Sequence, residues 1–70
     1  MLKLSERLRS LRKERGLTQT EAANAVEISL KSYCRYESGE REPTASVLVQ
    51  IADFYSVSAD YLLGRSEERT

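Results

Sequence analysis

The feature that most restricts how this chain can fold is a pair of helix-start signals that lie close together. Residues 18–21, TQTE, have the S/T-x-x-E spacing of a capping box, which satisfies the free N–H groups of a first helical turn. Ser29 is a second capping residue, and only residues 27–28 remain between the two helices as a connection. The sequence therefore predicts two short helices, residues 19–26 and about 30–37, joined by a tight turn.

Similar signals predict three more helices. Ser5 is expected to cap a first helix over residues 5–15. Thr44, just after a proline, is expected to cap a fourth helix that ends near Tyr55, and Ser58 is expected to cap a short fifth helix. No segment alternates between apolar and polar residues with period two, so no sheet is expected. The predicted fold class is all-α, with five short helices and short connections.

Apolar side chains at helical spacing define the expected core. The leucines of the first helix recur at i, i+4 and i+7, which places them on one face. The other helices have corresponding apolar faces, and the two tyrosines of the third helix share one side. The predicted core is Leu4, Leu8, Leu11, Ala22, Ala23, Val26, Tyr33, Tyr36, Leu48, Ile51, Ala52 and Tyr55.

The composition limits the functions that are open to the chain. Its 70 residues form one domain at most, and no apolar run approaches the roughly 20 residues of a membrane span. The N-terminal segment lacks the apolar stretch of a secretion signal, so a cytoplasmic protein is expected. There is no histidine and Cys34 is the single cysteine, which excludes a Cys/His zinc site, an internal disulfide and Ser–His or Cys–His nucleophiles. We therefore expect no metal, no cofactor and no catalytic residue, and the chain is not expected to be an enzyme.

Charge is unevenly distributed, although the formal net charge is zero. Residues 1–35 contain eight basic and four acidic residues, a net charge of +4. Residues 36–70 contain three basic and seven acidic residues, a net charge of −4. Such a dipolar chain can present a basic face to phosphates and remain neutral overall. The same distribution is also compatible with ordinary solvated helix faces.

The third helix has two unlike sides. With a rotation of about 100° per residue, Tyr33 and Tyr36 fall on one side, which is the natural core side because large rings bury much apolar area. The opposite side carries Leu30, Lys31, Cys34 and Arg35. In a DNA major groove, the two cations could donate to guanine acceptors, and the Leu and Cys side chains could contact thymine methyl groups. The alternative is an amphipathic helix whose polar side contains some apolar residues.

The spacing of the second and third helices is that of a helix-turn-helix, in which the second helix of the unit enters the groove. The segments LTQTEAANAVEISLKSYCRYESG, REP and IADFYSVSADYLLG resemble the Cro/repressor family of helix-turn-helix regulators, also called the XRE family. The resemblance covers residues 4–64 and depends on the order and spacing of several motifs. It implies a five-helix, lambda-repressor-like fold and a bacterial or phage-encoded regulator, expected to be a nucleoid-associated repressor.

The resemblance also implies roles for individual residues. Sequence-specific binding of double-stranded DNA is expected, usually as a homodimer on a pseudo-palindromic operator. The base-reading positions correspond to Leu30, Lys31, Cys34 and Arg35. The positions that approach the DNA backbone correspond to Thr18, Gln19, Ser29, Ser32, Ser38 and Arg41. Arg12 and Glu37 correspond to a structural ion pair between the first and third helices.

The expected domain spans residues 1–64, and residues 65–70 are expected to be a flexible C-terminal tail. The dimer contact is expected to involve the fifth helix and the end of the fourth. Its candidate side chains are Val49, Phe54, Tyr61 and Leu63, with core packing as the alternative for Phe54 and Leu63.

The chain departs from the family pattern at two places. Glu27 stands where the turn usually has glycine, so a left-handed or strained backbone is expected there. Ala22 replaces a usual leucine while Tyr33 replaces a smaller residue, and we expect the larger ring to fill the space that Ala22 leaves.

A different function class is also compatible with the sequence. A protein-interaction module, such as an antitoxin-like partner or an adaptor, could keep this fold and bind little DNA. The zero net charge and the acidic residues 36–70 favour that alternative.

Overall fold

The structure is a computed structural model that describes residues 2–70, with side chains from Lys3 onward. Five helices follow one another along the chain. They are α1 (Leu2–Glu14), α2 (Gln19–Ala25), α3 (Leu30–Ser38), α4 (Ala45–Tyr55) and α5 (Ala59–Leu63). Residues 2–70 contain no strand, so the predicted all-α fold class is confirmed. No helix in this part of the chain is long and apolar enough to span a bilayer.

Four of the predicted N-caps are confirmed. The side-chain oxygens of Thr18, Ser29, Thr44 and Ser58 each accept a hydrogen bond from a backbone N–H in the first turn of the following helix. The capping box is complete, because the backbone N–H of Thr18 also donates to the Glu21 carboxylate at 2.9 Å. These caps fix where α2 and α3 begin, and so fix the turn between them.

The predicted start of the first helix is wrong. Ser5 lies inside α1, which already includes Leu2, and its side chain is buried. Its hydroxyl donates to the backbone carbonyl of Tyr36 at 3.0 Å, so Ser5 links α1 to α3 instead of capping a helix.

Every helix is followed by a residue with positive φ: Gly16, Glu27, Gly39, Ser56 and Gly64. The φ of Glu27 is 60°, which confirms the predicted left-handed turn, whereas the left-handed Ser56 was not predicted. After Glu27, the N–H of Ile28 donates to the carbonyl of Ala23 at 3.0 Å. This bond satisfies a free carbonyl at the end of α2 and turns the chain sharply toward α3.

The core lies between the helices and largely matches the prediction. The three α1 leucines and both α3 tyrosines are buried, and only Leu48 of the predicted set is partly exposed. The hydroxyls of Tyr33 and Tyr55 hydrogen-bond to each other at 2.7 Å inside this core. Ala22 and Tyr33 are both fully buried, and the idea that the ring compensates for the small side chain stays a prediction.

The segment after α5 contacts α1. The guanidinium of Arg7 donates to the carbonyls of Tyr61 and Ser66, and to the carboxylate of Glu67 at 3.1 Å. Arg69 donates two hydrogen bonds to the carboxylate of Glu14, at 2.9 and 2.6 Å. Residues 66–69 therefore have defined neighbours, and their flexibility in solution stays a prediction.

Candidate nucleic-acid interface

The side of α3 that faces away from the core is open. Tyr33, Tyr36 and Glu37 are buried against the rest of the protein. On the opposite side Leu30 is 45% exposed, Lys31 is exposed, and Cys34 and Arg35 are half-buried. None of the four predicted base-reading residues is fully buried, although the chain itself partly covers Cys34 and Arg35.

The orientation of α3 is fixed by an ion pair with α1. The Arg12 guanidinium donates through Nε to Glu37 Oε2 at 2.7 Å and through Nη2 to Oε1 at 3.2 Å. Its Nη1 donates to the carbonyl of Leu17 at 2.8 Å. The Glu37 side chain is only 2% exposed, so the carboxylate depends on these donors to replace its lost hydration. The hydrogen bond to Glu37 raises the pKa of Arg12 above its usual value.

A further contact to this ion pair comes from α2. The side-chain amide of Gln19 donates through Nε2 to Glu37 Oε1 at 3.2 Å. The amide oxygen of Gln19 accepts a hydrogen bond from the Cys34 thiol at 3.3 Å. The sequence contains no local signal for these contacts, because they join residues on different helices.

Three of the predicted backbone-contacting residues lie at helix ends: Thr18, Ser29 and Ser38. The N-caps Thr18 and Ser29 are exposed, and each hydroxyl oxygen accepts a backbone N–H at 3.1 Å. A hydroxyl that accepts in this way keeps its own O–H to donate to an anion. Ser38 is exposed as well, but its hydroxyl donates to the Arg35 carbonyl at 3.1 Å.

Two of the predicted backbone contacts lie elsewhere around the same helix. Ser32 is half-buried in the first turn of α3, and Arg41 is exposed in the loop that follows it. Like Thr18 and Ser29, both stay outside the core, so each has at least part of its surface open to a ligand.

The candidate dimer residues differ in how accessible they are. Val49 on α4 is 53% exposed, whereas Tyr61 and Leu63 on α5 are half-buried. The Arg7 guanidinium lies 4.1 Å from the centre of the Tyr61 ring, and that of Arg69 lies 5.4 Å from it. These cations cover part of the Tyr61 ring.

A family model described as helix-turn-helix matches residues 8–62 of this chain. The chain belongs to the XRE-type helix-turn-helix family. The matched region contains α2 and α3 in full, together with the Arg12–Glu37 pair. The resemblance drawn from the sequence is thereby confirmed.

Two curated relatives are similar over almost the whole chain. The cryptic phage CTXphi transcriptional repressor RstR of Vibrio cholerae serotype O1 is 48% identical over 64 residues, which are 91% of this chain and 57% of that protein. The transcriptional regulator ImmR of Bacillus subtilis is 38% identical over 66 residues, which are 94% of this chain and 52% of that protein. This helix-turn-helix chain therefore spans about half the length of these relatives.

A solved structure has the same fold. The DNA-binding domain of the P22 c2 repressor superposes with a TM-score of 0.79 at 30% sequence identity, over 86% of this chain and 79% of that one. The lambda-repressor-like architecture predicted for this helix-turn-helix protein is confirmed by that likeness.

Proposed function

We propose that this chain is a sequence-specific DNA-binding module of a bacterial or phage transcriptional repressor, with α3 in the major groove. The observation that carries the proposal is the open side of α3. Its cations Lys31 and Arg35 remain accessible, while Tyr33, Tyr36 and Glu37 anchor the opposite side. The family membership and the repressors among the relatives support the same function.

Direct readout is assigned to side chains on that open side. Lys31 and Arg35 donate to the guanine acceptors of the major groove. Leu30, which is 45% exposed at the first turn of α3, contacts a thymine methyl group. A guanidinium that binds one guanine through two hydrogen bonds discriminates by about 1–3 kcal/mol against the wrong base.

Phosphate contacts set the position of α3 in the groove. The N-termini of α2 and α3 carry partial positive charge, and their caps Thr18 and Ser29 have hydroxyls with a free donor. Gln19 and Arg41 add side-chain donors beside them, and Ser32 adds a hydroxyl group. The Ser38 hydroxyl can donate to a phosphate in place of the Arg35 carbonyl. These contacts carry no sequence information, so they contribute affinity and register.

We further propose that two copies bind one operator, since a helix-turn-helix dimer reads half-sites about 34 Å apart on one face of DNA. The contact would use Val49 of α4 with Tyr61 and Leu63 of α5. This arrangement predicts a pseudo-palindromic operator.

A protein-interaction module is the second candidate function. It is favoured by the zero net charge and by the net charge of −4 in residues 36–70. A module of this kind would form a tight complex with a protein and would show no salt-sensitive DNA binding.

The test is the salt dependence of binding to random duplex DNA. We expect the logarithm of the binding constant to fall linearly with the logarithm of salt concentration, because phosphate contacts release counterions. Gln19→Ala should weaken binding to all sequences alike. Arg65→Ala, a change to an exposed arginine outside α3, is the matched control and should have little effect. No salt-sensitive binding by the wild-type chain would overturn the proposal.

A further inference from the structure

The side chain of Gln19 is held from two directions. Its amide nitrogen donates to Glu37 Oε1 at 3.2 Å, and its amide oxygen accepts from the Cys34 thiol at 3.3 Å. Glu37 is itself fixed, because its carboxylate is buried and receives two hydrogen bonds from Arg12. A chain of hydrogen bonds therefore links Arg12 of α1 to Glu37 of α3, and Glu37 to Gln19, the first residue of α2. From Gln19 it continues to Cys34, on the open side of α3.

The chemistry of the three groups allows one orientation of the amide. The Glu37 carboxylate pairs with the Arg12 guanidinium and can only accept, so it must face the Gln19 nitrogen. The Gln19 oxygen then faces Cys34, whose S–H is a donor. A flipped amide would place its oxygen against the carboxylate oxygen, lose the hydrogen bond to Glu37 and leave its N–H facing the thiol sulfur, which accepts only weakly. Gln19 has two N–H groups, and Glu37 uses one, so the second remains for a phosphate.

We propose that Cys34 is a positioning residue that acts on DNA through Gln19 and does not read a base. The inference rests on the proposed function, in which Gln19 contacts a phosphate. The thiol holds the amide in place, and the held amide presents its free N–H at the N-terminus of α2. Because Cys34 lies on α3, the position of α3 thus determines where the phosphate-contacting N–H of Gln19 on α2 is held.

A double-mutant cycle tests the coupling. Cys34→Ala should lower the affinity by a similar factor, roughly two- to tenfold, for operator and random duplexes alike, since one hydrogen bond to Gln19 is lost. The same change should cost nothing further in a Gln19→Ala background, because the two residues act as a unit. Cys34→Ser keeps a donor and should restore most of the affinity.

Leu30→Ala is the matched control on the same side of α3. Leu30 has no hydrogen bond to Gln19, so its truncation should alter preference at one base pair and should be additive with Gln19→Ala. If Cys34→Ala behaves like the control, with a changed base preference and additive losses, the inference is overturned.

An NMR measurement on the free protein separates this inference from the proposed function. The side-chain N–H signals of Gln19 should move in Cys34→Ala, while those of the exposed Gln50 stay in place. Unchanged Gln19 signals, with DNA binding intact, would overturn the inference alone. Absence of DNA binding by the wild-type chain would overturn the proposed function and this inference with it.

Discussion

Tyr33 and Tyr55 place two phenol hydroxyls in the core, where they hydrogen-bond to each other at 2.7 Å. Burial raises the pKa of both groups above the ordinary value of tyrosine, since the ionised form would lose its hydration. In the unfolded chain both would ionise near pH 10. Above that pH the unfolded state binds fewer protons than the folded state, so stability falls as the pH rises.

We predict that the free energy of unfolding declines above about pH 10 and that Tyr33→Phe reduces the decline. At pH 7 the same change should cost about 1–3 kcal/mol, because the buried Tyr55 hydroxyl loses its partner. Tyr61→Phe leaves the buried pair intact and should keep the alkaline decline. Urea unfolding at pH 7 to 11 measures both effects, and equal alkaline slopes for wild type and Tyr33→Phe would contradict the explanation.

Glu27 has a φ of 60°, a conformation that costs a residue with a Cβ atom more than it costs glycine. We predict that Glu27→Gly stabilises the protein by about 1 kcal/mol, because relief of the backbone strain exceeds the entropy that glycine adds to the unfolded chain. Glu27→Ala is the matched control, because it removes the same charge but keeps the Cβ atom. If Glu27→Ala stabilises as much as Glu27→Gly in thermal unfolding, charge is responsible and backbone strain is not.

At the scale of the helices, the Arg12–Glu37 pair decides how α1 and α3 meet. We predict that Glu37→Ala destabilises the protein by about 3–5 kcal/mol, since it leaves a largely buried guanidinium without its partner. The change should alter stability more than base preference, because Glu37 lies on the core side of α3.

The control for that prediction is Glu14→Ala. Glu14 pairs with Arg69 at 2.6 Å on the surface, where both side chains are about half exposed and solvent screens the pair, so its removal should destabilise the protein far less than the removal of Glu37. A Glu37→Ala protein that melts at the wild-type temperature would rule out a structural role for the buried pair.

The helix starts that could be predicted from the sequence are those set by a local signal. The caps Thr18, Ser29, Thr44 and Ser58 act within four residues of themselves, so the local pattern was sufficient. Ser5 has the same appearance in the sequence, but its partner is the carbonyl of Tyr36, 31 residues away. A pattern confined to neighbouring residues cannot distinguish these two cases.

For the molecule as a whole, the sides of α3 could be predicted because helical periodicity alone assigns them. Apart from the Arg12–Glu37 pair, which the family resemblance implied, the polar contacts between elements could not be predicted. Gln19 contacts Glu37 and Cys34, and Arg9 donates to the Glu37 carbonyl. These hydrogen bonds depend on how the helices pack. The sequence therefore located the open side of α3. It could not show that the Cys34 thiol on that side donates a hydrogen bond to Gln19.

Residues 65–70 provide a prediction at this scale. Arg7 is largely buried and donates to the Ser66 carbonyl at 2.7 Å and to Glu67 at 3.1 Å. Deleting residues 65–70 should therefore lower the free energy of unfolding by about 1–3 kcal/mol, because these acceptors are removed from a charged donor. Glu68→Ala keeps the backbone acceptors and should have little effect. A deletion without consequence in urea unfolding would favour a flexible tail.

Selection of bound sequences from a random pool of duplex DNA tests the central claim most directly, with the wild-type chain and Arg35→Ala compared. We predict that the wild type enriches a pseudo-palindromic motif, and that Arg35→Ala enriches the same motif with preference relaxed at one base pair of each half-site. Arg35→Ala should also weaken the free energy of binding to the operator by about 1–3 kcal/mol. No enriched motif, or an identical motif for both proteins, would contradict the claim that the open side of α3 reads DNA.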